Sequence, residues 1–216
     1  MKLTGKDWGF IALAAVFAVV CARLGIWQLD RLHQRRALNA AVTARRALPP
    51  LEVTGAAISV DSVRDRPVGA HGVYDYARQW VWPGRSFEGV PGVAVVTPLK
   101  LSDSLAVMVD RGWVPSPDGF HVSLIPYEET SDTVEVTGLG AKLPRGRGDY
   151  DPSQKGEFPY RVLPMAIQLL PPGPQGAPRR WPEVELGNGP HLGYAIQWFS
   201  FATIAVMGTA VFLRRR

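Results

Sequence analysis

Two stretches of the chain set a histidine or an arginine beside aromatic residues at helical spacing. His191, Tyr194 and Trp198 stand at i, i+3 and i+7, and Trp27 stands four residues before Arg31. Each set therefore shares one face of a helix. An imidazole in such a place is a candidate ligand, but aromatic rings and arginines at this spacing are also typical of a membrane–water interface. On spacing alone, we favour the interpretation that these residues lie at a membrane–water interface.

Sequence motifs of the common enzyme classes are absent from the chain. It carries no nucleophile elbow, phosphate-binding loop, dinucleotide fingerprint or zinc motif, and its four histidines are isolated from one another in sequence. We therefore predict that the protein is not an enzyme. A membrane-tethered hydrolase or transferase stays open as the weaker alternative, which a polar pocket in the folded domain would favour.

The elements that must position the aromatic sets include two apolar segments, one near each end of the chain. Residues 8–27 match the length of about 20 residues that crosses a bilayer, and residues 192–213 contain no charge before the closing arginines. We predict transmembrane helix 1 over 8–27 and transmembrane helix 2 over 192–213. The first segment could instead be a cleaved signal peptide, but its apolar character resumes after Arg23, which favours a retained helix.

Two transmembrane helices place both chain termini on the same side of a membrane. Lys2, Lys6 and the C-terminal arginines indicate that this side is cytoplasmic, since long connecting segments cross largely regardless of their charge. We expect a multi-pass protein of a bacterial inner membrane with residues 28–190 in the periplasm. In this arrangement the two aromatic sets lie at the same membrane face.

The formal net charge of +5 comes with basic clusters beside the two apolar segments. Juxtamembrane position explains such clusters through contact with membrane lipid, so we expect no nucleic-acid partner. The single cysteine, Cys21, excludes an intramolecular disulfide. The central domain must therefore be held together by packing.

Between the two apolar segments the pattern changes from a helical extension to β-strands. Apolar residues keep helical spacing through 28–46, until Pro49 and Pro50 end the helix. Valine-rich and aromatic segments predict five strands and one hairpin turn, with a loop, a short helix and a last strand after them. These are strands at 68–74, 79–82, 93–101, 105–114 and 134–143, the turn at 102–104, the loop at 144–159, the helix at 163–170 and the strand at 181–186. The predicted fold is a membrane protein in which two transmembrane helices flank a mostly antiparallel β (α+β) soluble domain.

Four blocks of sequence are spread over nearly the whole chain. They read LGIWQLDR at 24–31, GVYDYAR at 72–78, TPLKL…VMVDRGWVP over 97–115 and HLGYAIQWFSFA at 191–202. In their order and identity they resemble the Surfeit locus protein family of cytochrome c oxidase assembly factors. Within the central domain, the resemblance assigns structural roles to Gly72, Tyr74, Arg111, Gly112 and Trp113.

The resemblance implies a factor that assists assembly of haem–copper cytochrome c oxidase when haem a enters the catalytic subunit. The family's implicated haem ligand is the histidine that opens the second helix, which corresponds to His191, with the iron as its metal. A transient haem a site would also use Tyr194, Trp198 and Trp27 as flat surfaces and Arg31 as a partner for the propionates. The expected partners are cytochrome c oxidase subunit 1 and the haem a synthesis machinery.

A second interpretation keeps the assembly role but removes the haem. The protein would then be a membrane scaffold that stabilises an oxidase assembly intermediate, and His191 would only bond the opposing helix or the soluble domain. The two interpretations differ in what substitution of His191 does to oxidase assembly.

Overall fold

The computed structural model describes residues 4–55, 58–128, 133–142 and 158–215. The chain divides into two units, of which one comprises Met1–Ala41 with Glu185–Arg216 and the other comprises Val42–Val184. The elements follow in the order α1 (Gly5–Arg46), β1 (Leu51–Glu52), α2 (Val60–Val63), β2 (Pro67–Tyr74), β3 (Trp80–Phe87), β4 (Val90–Ser102), β5 (Leu105–Pro115), β6 (Val134–Lys142), β7 (Arg161–Leu169) and α3 (His191–Arg214). We refer to the first unit as the helical unit and to the second as the barrel unit.

The helical unit is formed by most of α1 together with α3. A reciprocal cap begins α1, because the Thr4 N–H donates to Asp7 Oδ2 at 2.8 Å and the Asp7 N–H donates to Thr4 Oγ1 at 3.4 Å. The helix predicted through residues 28–46 is confirmed as the second half of α1. Both α1 and α3 are long and apolar enough to cross a membrane by their length and composition.

The two helices pack against each other along a seam on α1 formed by Cys21, Gly25, Gln28 and Leu32. These four residues are buried, and they recur at alternating steps of four and three, the spacing of a helix that keeps one stripe against a partner. At Gly25 a side chain would collide with the Phe199 ring, since a Cβ there would lie 2.8 Å from it. The small residue at this point therefore makes room on α1 for the Phe199 ring of α3.

The helices run antiparallel within the helical unit. Near the start of α1, Phe10 lies with its ring centroid 5.1 Å from that of Phe212, close to the end of α3. Further along α1, Gln28 bonds His191, the first residue of α3. The start of one helix therefore faces the end of the other.

The barrel unit is a mixed seven-stranded sheet in which five strands close into a ring. The ring runs β2–β6–β7–β5–β4 and returns to β2, while β1 and β3 pair at its outside. Five of the seven pairings are antiparallel, and β1–β2 and β5–β7 are parallel. The five strands predicted between 68 and 143 and the turn at 102–104 are confirmed to within a few residues.

The closure between β2 and β4 rests on two residue pairs, Val73 with Lys100 and Tyr74 with Leu99. Gly72 stands directly before them, and a Cβ at this position would collide with the Lys100 carbonyl oxygen. The glycine therefore allows the two backbones to meet where the ring closes. Apolar side chains fill the interior, among them Val63, Leu99, Val107, Val109, Leu163, Met165 and Ile167.

Two sequence predictions in this unit are wrong. The segment predicted as a helix at 163–170 forms strand β7, which pairs with β5 and β6. Pro164 falls in an irregular part of the β5–β7 ladder, where its missing N–H breaks no regular pairing. The strand predicted at 181–186 is absent, and these residues follow an irregular path. The loop predicted at 144–159 lies almost wholly outside the described residues.

Candidate functional site

The helical unit places His191, the first residue of α3, beside Gln28 of the α1 seam. Its Nδ1 atom lies 2.8 Å from Gln28 Oε1. An amide oxygen can only accept a hydrogen bond, so Nδ1 carries the proton and donates it. In the neutral form of the imidazole the lone pair is then on the second ring nitrogen, Nε2, which has no hydrogen-bond partner among the described residues.

The backbone before α3 leaves space next to that nitrogen. Gly189 has a φ of +68°, a conformation that favours glycine, and a Cβ there would lie 3.4 Å from His191 Nε2 and 3.3 Å from Cδ2. A side chain at this position would therefore crowd the free edge of the imidazole. The glycine therefore leaves this edge of the ring uncrowded.

The aromatic residues predicted around His191 divide into two groups. Trp27 and Tyr194 are about half exposed, at 49% and 48%, whereas Trp198 is only partly exposed and meets Phe201 edge-on at a centroid distance of 5.9 Å. The structure therefore presents two of the three rings outward.

Arg31 lies beside Trp27, as the four-residue spacing predicts. Its guanidinium carbon is 5.6 Å from the centre of the Trp27 ring, and Nη1 donates to Gln34 Oε1 at 3.1 Å. Neither Arg31 nor Trp27 shares a hydrogen bond or ring contact with His191, Tyr194 or Trp198 in the described part of the chain.

Helix geometry nevertheless puts one residue of each set, Arg31 and Tyr194, on the same side of the helix pair. Arg31 follows Gln28 by three residues and Tyr194 follows His191 by three. In an antiparallel pair, equal offsets from two facing residues flank the same side of the contact. Arg31 and Tyr194 therefore border a common side of the seam, next to the imidazole.

Gln28 is the residue of this site that the sequence motifs did not single out. It is 9% exposed, and its carbonyl oxygen is the direct partner of the predicted ligand. The signal was available in the seam spacing, because Gln28 is the one polar residue in the run Cys21, Gly25, Gln28 and Leu32. A buried amide on such a stripe predicts a hydrogen-bond partner on the facing helix.

The motif residues of the barrel unit form a separate, closed cluster around Arg111. This arginine is 2% exposed, and its guanidinium carbon lies 4.9 Å from the Tyr74 ring centre and 5.4 Å from that of Tyr76. Its Nη2 donates to the Tyr127 carbonyl at 2.7 Å. Two predicted motifs, GVYDYAR and DRGWVP, thus meet through a cation–π contact in the protein interior.

The same cluster continues through Asp75. The Tyr160 hydroxyl donates to Asp75 Oδ2 at 2.7 Å, and Arg78 donates to the same oxygen at 2.9 Å. Burial and then the Asp75 carboxylate raise the pKa of Tyr160 above its ordinary value, so the hydroxyl stays a donor. This arrangement is structural, since every contact runs between elements of the barrel.

Gly112 and Trp113 join β5 to the segment after β7. Gly112 has a φ of +119°, and a Cβ there would lie 2.5 Å from the Arg179 carbonyl oxygen. Trp113 and Arg179 exchange two backbone hydrogen bonds, at 2.8 Å and 2.7 Å. The glycine is required by this close approach, and the structural role assigned to the RGW motif has a physical basis.

Asp110 precedes this motif and is partly buried. Its carboxylate accepts from the Gly112 N–H at 3.0 Å and from the Trp181 side chain. Burial raises its pKa to about 6, although these two hydrogen bonds and the positive charge of Arg85 act in the opposite direction. Trp181, predicted in a strand, is instead held by this side-chain contact and by the Phe87 ring at 5.9 Å.

One trio in the barrel unit has the composition of a hydrolytic triad but not its geometry. Ser116 Oγ lies 2.8 Å from both Asp118 Oδ1 and the His121 carbonyl oxygen, so its one proton goes to these acceptors and not to the imidazole. His121 Nδ1 lies 2.6 Å from Asp118 Oδ2, and hydrogen bonds from His121 and Phe120 hold the pKa of Asp118 below its usual range. A triad requires the serine to bond the histidine, so the trio is a polar turn. The residues described by the structure contain no group of three metal-binding side chains.

A cavity of the barrel unit with a volume of about 520 Å³ is lined by four prolines, two arginines and Glu88, among other residues. Its acidic side chain, Glu88, pairs with Arg179 at 3.1 Å. The cavity therefore offers no unpaired acid–base couple for the enzyme alternative.

Comparison with known proteins gives a consistent result. A model of the SURF1 family matches residues 15–203. A SURF1-like protein of Mycobacterium tuberculosis is 28% identical over 239 residues, covering 94% of this chain and 83% of its own length. A SURF1-like protein of Monosiga brevicollis is 25% identical over 98% of this chain and 88% of its own, and the Surfeit locus protein 1 of Xenopus tropicalis is 25% identical over 87% and 70%.

Proposed function

The chain belongs to the SURF1 family, and from this membership we propose that it is a membrane-bound assembly factor for haem–copper cytochrome c oxidase. The family match covers the barrel unit and extends into both helices, from residue 15 of α1 to residue 203 of α3. Two helices that are long and apolar enough to cross a membrane support a membrane location. The role is one of assembly and handover rather than catalysis.

We further propose that the protein binds haem a transiently and that His191 Nε2 would hold the iron. The observation that carries this proposal is the state of the imidazole, because Nδ1 donates to Gln28 and Nε2 keeps its lone pair beside Gly189. A neutral histidine with this tautomer is a competent haem ligand. The haem, when bound, would supply the iron centre, and the chain would supply the ligand and the surface around it.

The surroundings of His191 suit an amphipathic macrocycle. Trp27 and Tyr194 present half-exposed rings, and Arg31 borders the same side of the seam as Tyr194. A guanidinium can pair with a propionate through charge-assisted hydrogen bonds, and aromatic rings can cover a porphyrin face. Trp198 supports the site from its partly buried position.

A single protein ligand suits a carrier that must release its cargo. Transfer of haem a to the oxidase requires contact with subunit 1 and with the haem a synthesis machinery, which we propose as the partners. The proposed location is a bacterial inner membrane with both termini cytoplasmic and residues 28–190 periplasmic. The C-terminal arginines and the long central segment support this orientation.

The experiment is the visible absorption spectrum of the full-length protein, purified in detergent from cells that make haem a. We expect a Soret band in the wild type and its loss in His191→Asn. Asparagine is the sharper substitution, because its amide nitrogen can still donate to Gln28 while the Nε2 ligand is gone. His33→Ala, an exposed histidine on α1, is the matched control and should keep the band.

The outcomes separate the haem proposal from the site. A Soret band that persists in His191→Asn would mean that the protein binds haem through a ligand other than His191. Absence of a band in the wild type, with haem a synthesis verified in the same cells, would contradict haem binding.

A second candidate function is a scaffold that steadies an oxidase intermediate without binding haem. The hydrogen bond between His191 and Gln28 favours it, because the imidazole already has a structural role in joining α1 to α3. Under this function His191→Asn would support normal oxidase assembly, measured as haem a incorporated into subunit 1, whereas the haem carrier requires that incorporation to fall.

A further inference from the structure

We propose that Gln28 is the positioning residue for His191, and that its carbonyl oxygen selects Nε2 as the ligand nitrogen and strengthens it. The inference rests on the proposed haem site and adds the group that sets the properties of its ligand.

The hydrogen bond to Gln28 determines which ring nitrogen of His191 can bind the iron. A neutral imidazole carries one N–H, and either ring nitrogen can bear it. The 2.8 Å contact between His191 Nδ1 and Gln28 Oε1 places the proton on Nδ1, because two acceptors cannot share this bond. The lone pair is thereby fixed on Nε2, the nitrogen beside Gly189.

The second step is the strength of the ligand. An acceptor at the distal N–H of a coordinated imidazole draws the proton toward itself and makes the other nitrogen a better donor to the metal. Loss of such a partner typically weakens metal affinity by about 10–100-fold. A neutral amide acceptor gives a moderate effect, which suits a carrier that must release its iron porphyrin.

The third step is the rigidity of the acceptor. Gln28 is buried on the α1 seam, with Gly25 and Leu32 as its neighbours one turn before and after. Gly25 lies against the Phe199 ring of α3, so the helices are in contact one turn away from the hydrogen bond. Packing on both sides holds the amide at the imidazole, as a positioning group requires.

The experiment compares Gln28→Leu and Gln28→Glu with the wild type, as full-length proteins in detergent titrated with haem a. Two quantities are measured, the affinity from the Soret titration and the iron–histidine stretching frequency of the ferrous five-coordinate complex. We expect Gln28→Leu to bind about 10–100-fold more weakly, with a lower stretching frequency. Glutamate keeps an acceptor of the same reach, so Gln28→Glu should restore the affinity with a frequency at or above that of the wild type.

Asn39→Leu is the control for helix packing. Asn39 lies on α1 eleven residues after Gln28 and donates to the carbonyls of Leu186 and Gly187, at 3.1 Å and 3.2 Å. Its replacement removes polar contacts of the helical unit without touching His191, so affinity and stretching frequency should both stay at wild-type values. The frequency is the readout that a merely structural role of Gln28 would leave unchanged.

Three outcomes would overturn the inference. Gln28→Leu with unchanged affinity and frequency removes Gln28 from the site while the haem carrier stands. An equal loss of affinity in Asn39→Leu and Gln28→Leu, with the stretching frequency unchanged in both, assigns the loss to packing. A wild-type protein that takes up no haem a contradicts the haem site and this inference with it.

Discussion

The helical unit and the barrel unit each contain a polar side chain from a family motif that makes specific contacts, but the two differ in how completely these contacts use its polar atoms. Arg111 in the barrel is 2% exposed and lies against two tyrosine rings, with a backbone carbonyl as a further partner. His191 in the helical unit uses one ring nitrogen for Gln28 and keeps the other available. The barrel cluster is enclosed within its unit, whereas in the described part of the chain one ring nitrogen of His191 has no hydrogen-bond partner.

This difference suggests a division between residues that stabilise the fold and residues that are exposed for binding. The contacts described above for Tyr74, Arg111 and Gly112 lie within the barrel unit. Trp27 and Tyr194 leave about half of their surface exposed at the proposed site. Substitutions in the barrel should therefore lower stability and leave haem binding by the folded protein intact. Substitutions in the helical site should weaken haem binding and have less effect on stability.

The largest effect that tests this division is expected for Arg111→Ala. The variant loses a desolvated cation–π contact and a hydrogen bond from a charged donor, which together should lower the free energy of unfolding by about 3–5 kcal/mol. Denaturant unfolding of the full-length protein in detergent, followed by tryptophan fluorescence, measures the change. Arg78→Ala, which removes a more exposed ion pair with Asp75, should cost at most about 1 kcal/mol.

The haem spectrum of the same variant tests whether Arg111 also contributes to haem binding. Folded Arg111→Ala protein should take up haem a as the wild type does. A stable variant that has lost haem binding would break the division, because it would make Arg111 part of the ligand site.

Asp110 supplies the next largest effect, and it depends on pH. Its pKa is raised from 3.8 to about 6 in the folded protein, so between these values the folded state binds more protons than the unfolded state. The free energy of unfolding therefore falls as pH rises from about 4 to 6, by roughly 2–3 kcal/mol for two pKa units. Above pH 6 the carboxylate is ionised in both states and the loss is complete.

Asp110→Asn removes this penalty while keeping an acceptor for Gly112 and Trp181. We expect the variant and the wild type to be equally stable near pH 4 and the variant to be the more stable one at pH 7. Denaturant unfolding of both proteins across this range is the measurement. A stability difference that does not change with pH would show that Asp110 is not the titrating group.

The division between the units also explains how far the sequence could predict the structure. Strands β2 to β6 follow from valine-rich segments bounded by turn residues, and the helix through 28–46 follows from its apolar spacing. Strand β7 was missed because a strand that is buried on both faces has no alternation, and Pro164 resembles the first turn of a helix. Trp181 was placed in a strand because local sequence does not show that its partner is Asp110, seventy-one residues earlier.

The candidate site was predictable in its residues but not in its contacts. The spacing of His191, Tyr194 and Trp198 indicates a shared helix face, yet the structure leaves Tyr194 exposed and turns Trp198 toward partial burial. The bond between Gln28 and His191 joins residues 163 positions apart, and only the pairing of α1 with α3 creates it. Long-range helix contacts of this kind are set by packing rather than by local pattern.

The smallest expected effect belongs to Arg31, the charged residue at the edge of the helical site. Its side chain is exposed, and an exposed ion pair contributes about 0.2–1 kcal/mol, so Arg31→Gln should weaken haem a binding by only about 1.4- to 5-fold. The unfolding free energy should not change, since the contact of Arg31 with Trp27 is on the surface. Because the pairing is electrostatic, added salt should weaken binding by the wild type more than by the variant.

Arg36→Gln is the matched control, since Arg36 is an exposed arginine on the same helix, turned to a different face by five residues. Haem a titrations of both variants at low and high salt separate a local propionate contact from the general charge of the helix. Equal weakening by the two substitutions would assign the effect to net charge. If only Arg31→Gln weakens haem a binding, the propionates bind near Arg31. They would then lie on the side of the seam that Arg31 shares with Tyr194, as the antiparallel packing of α1 and α3 requires.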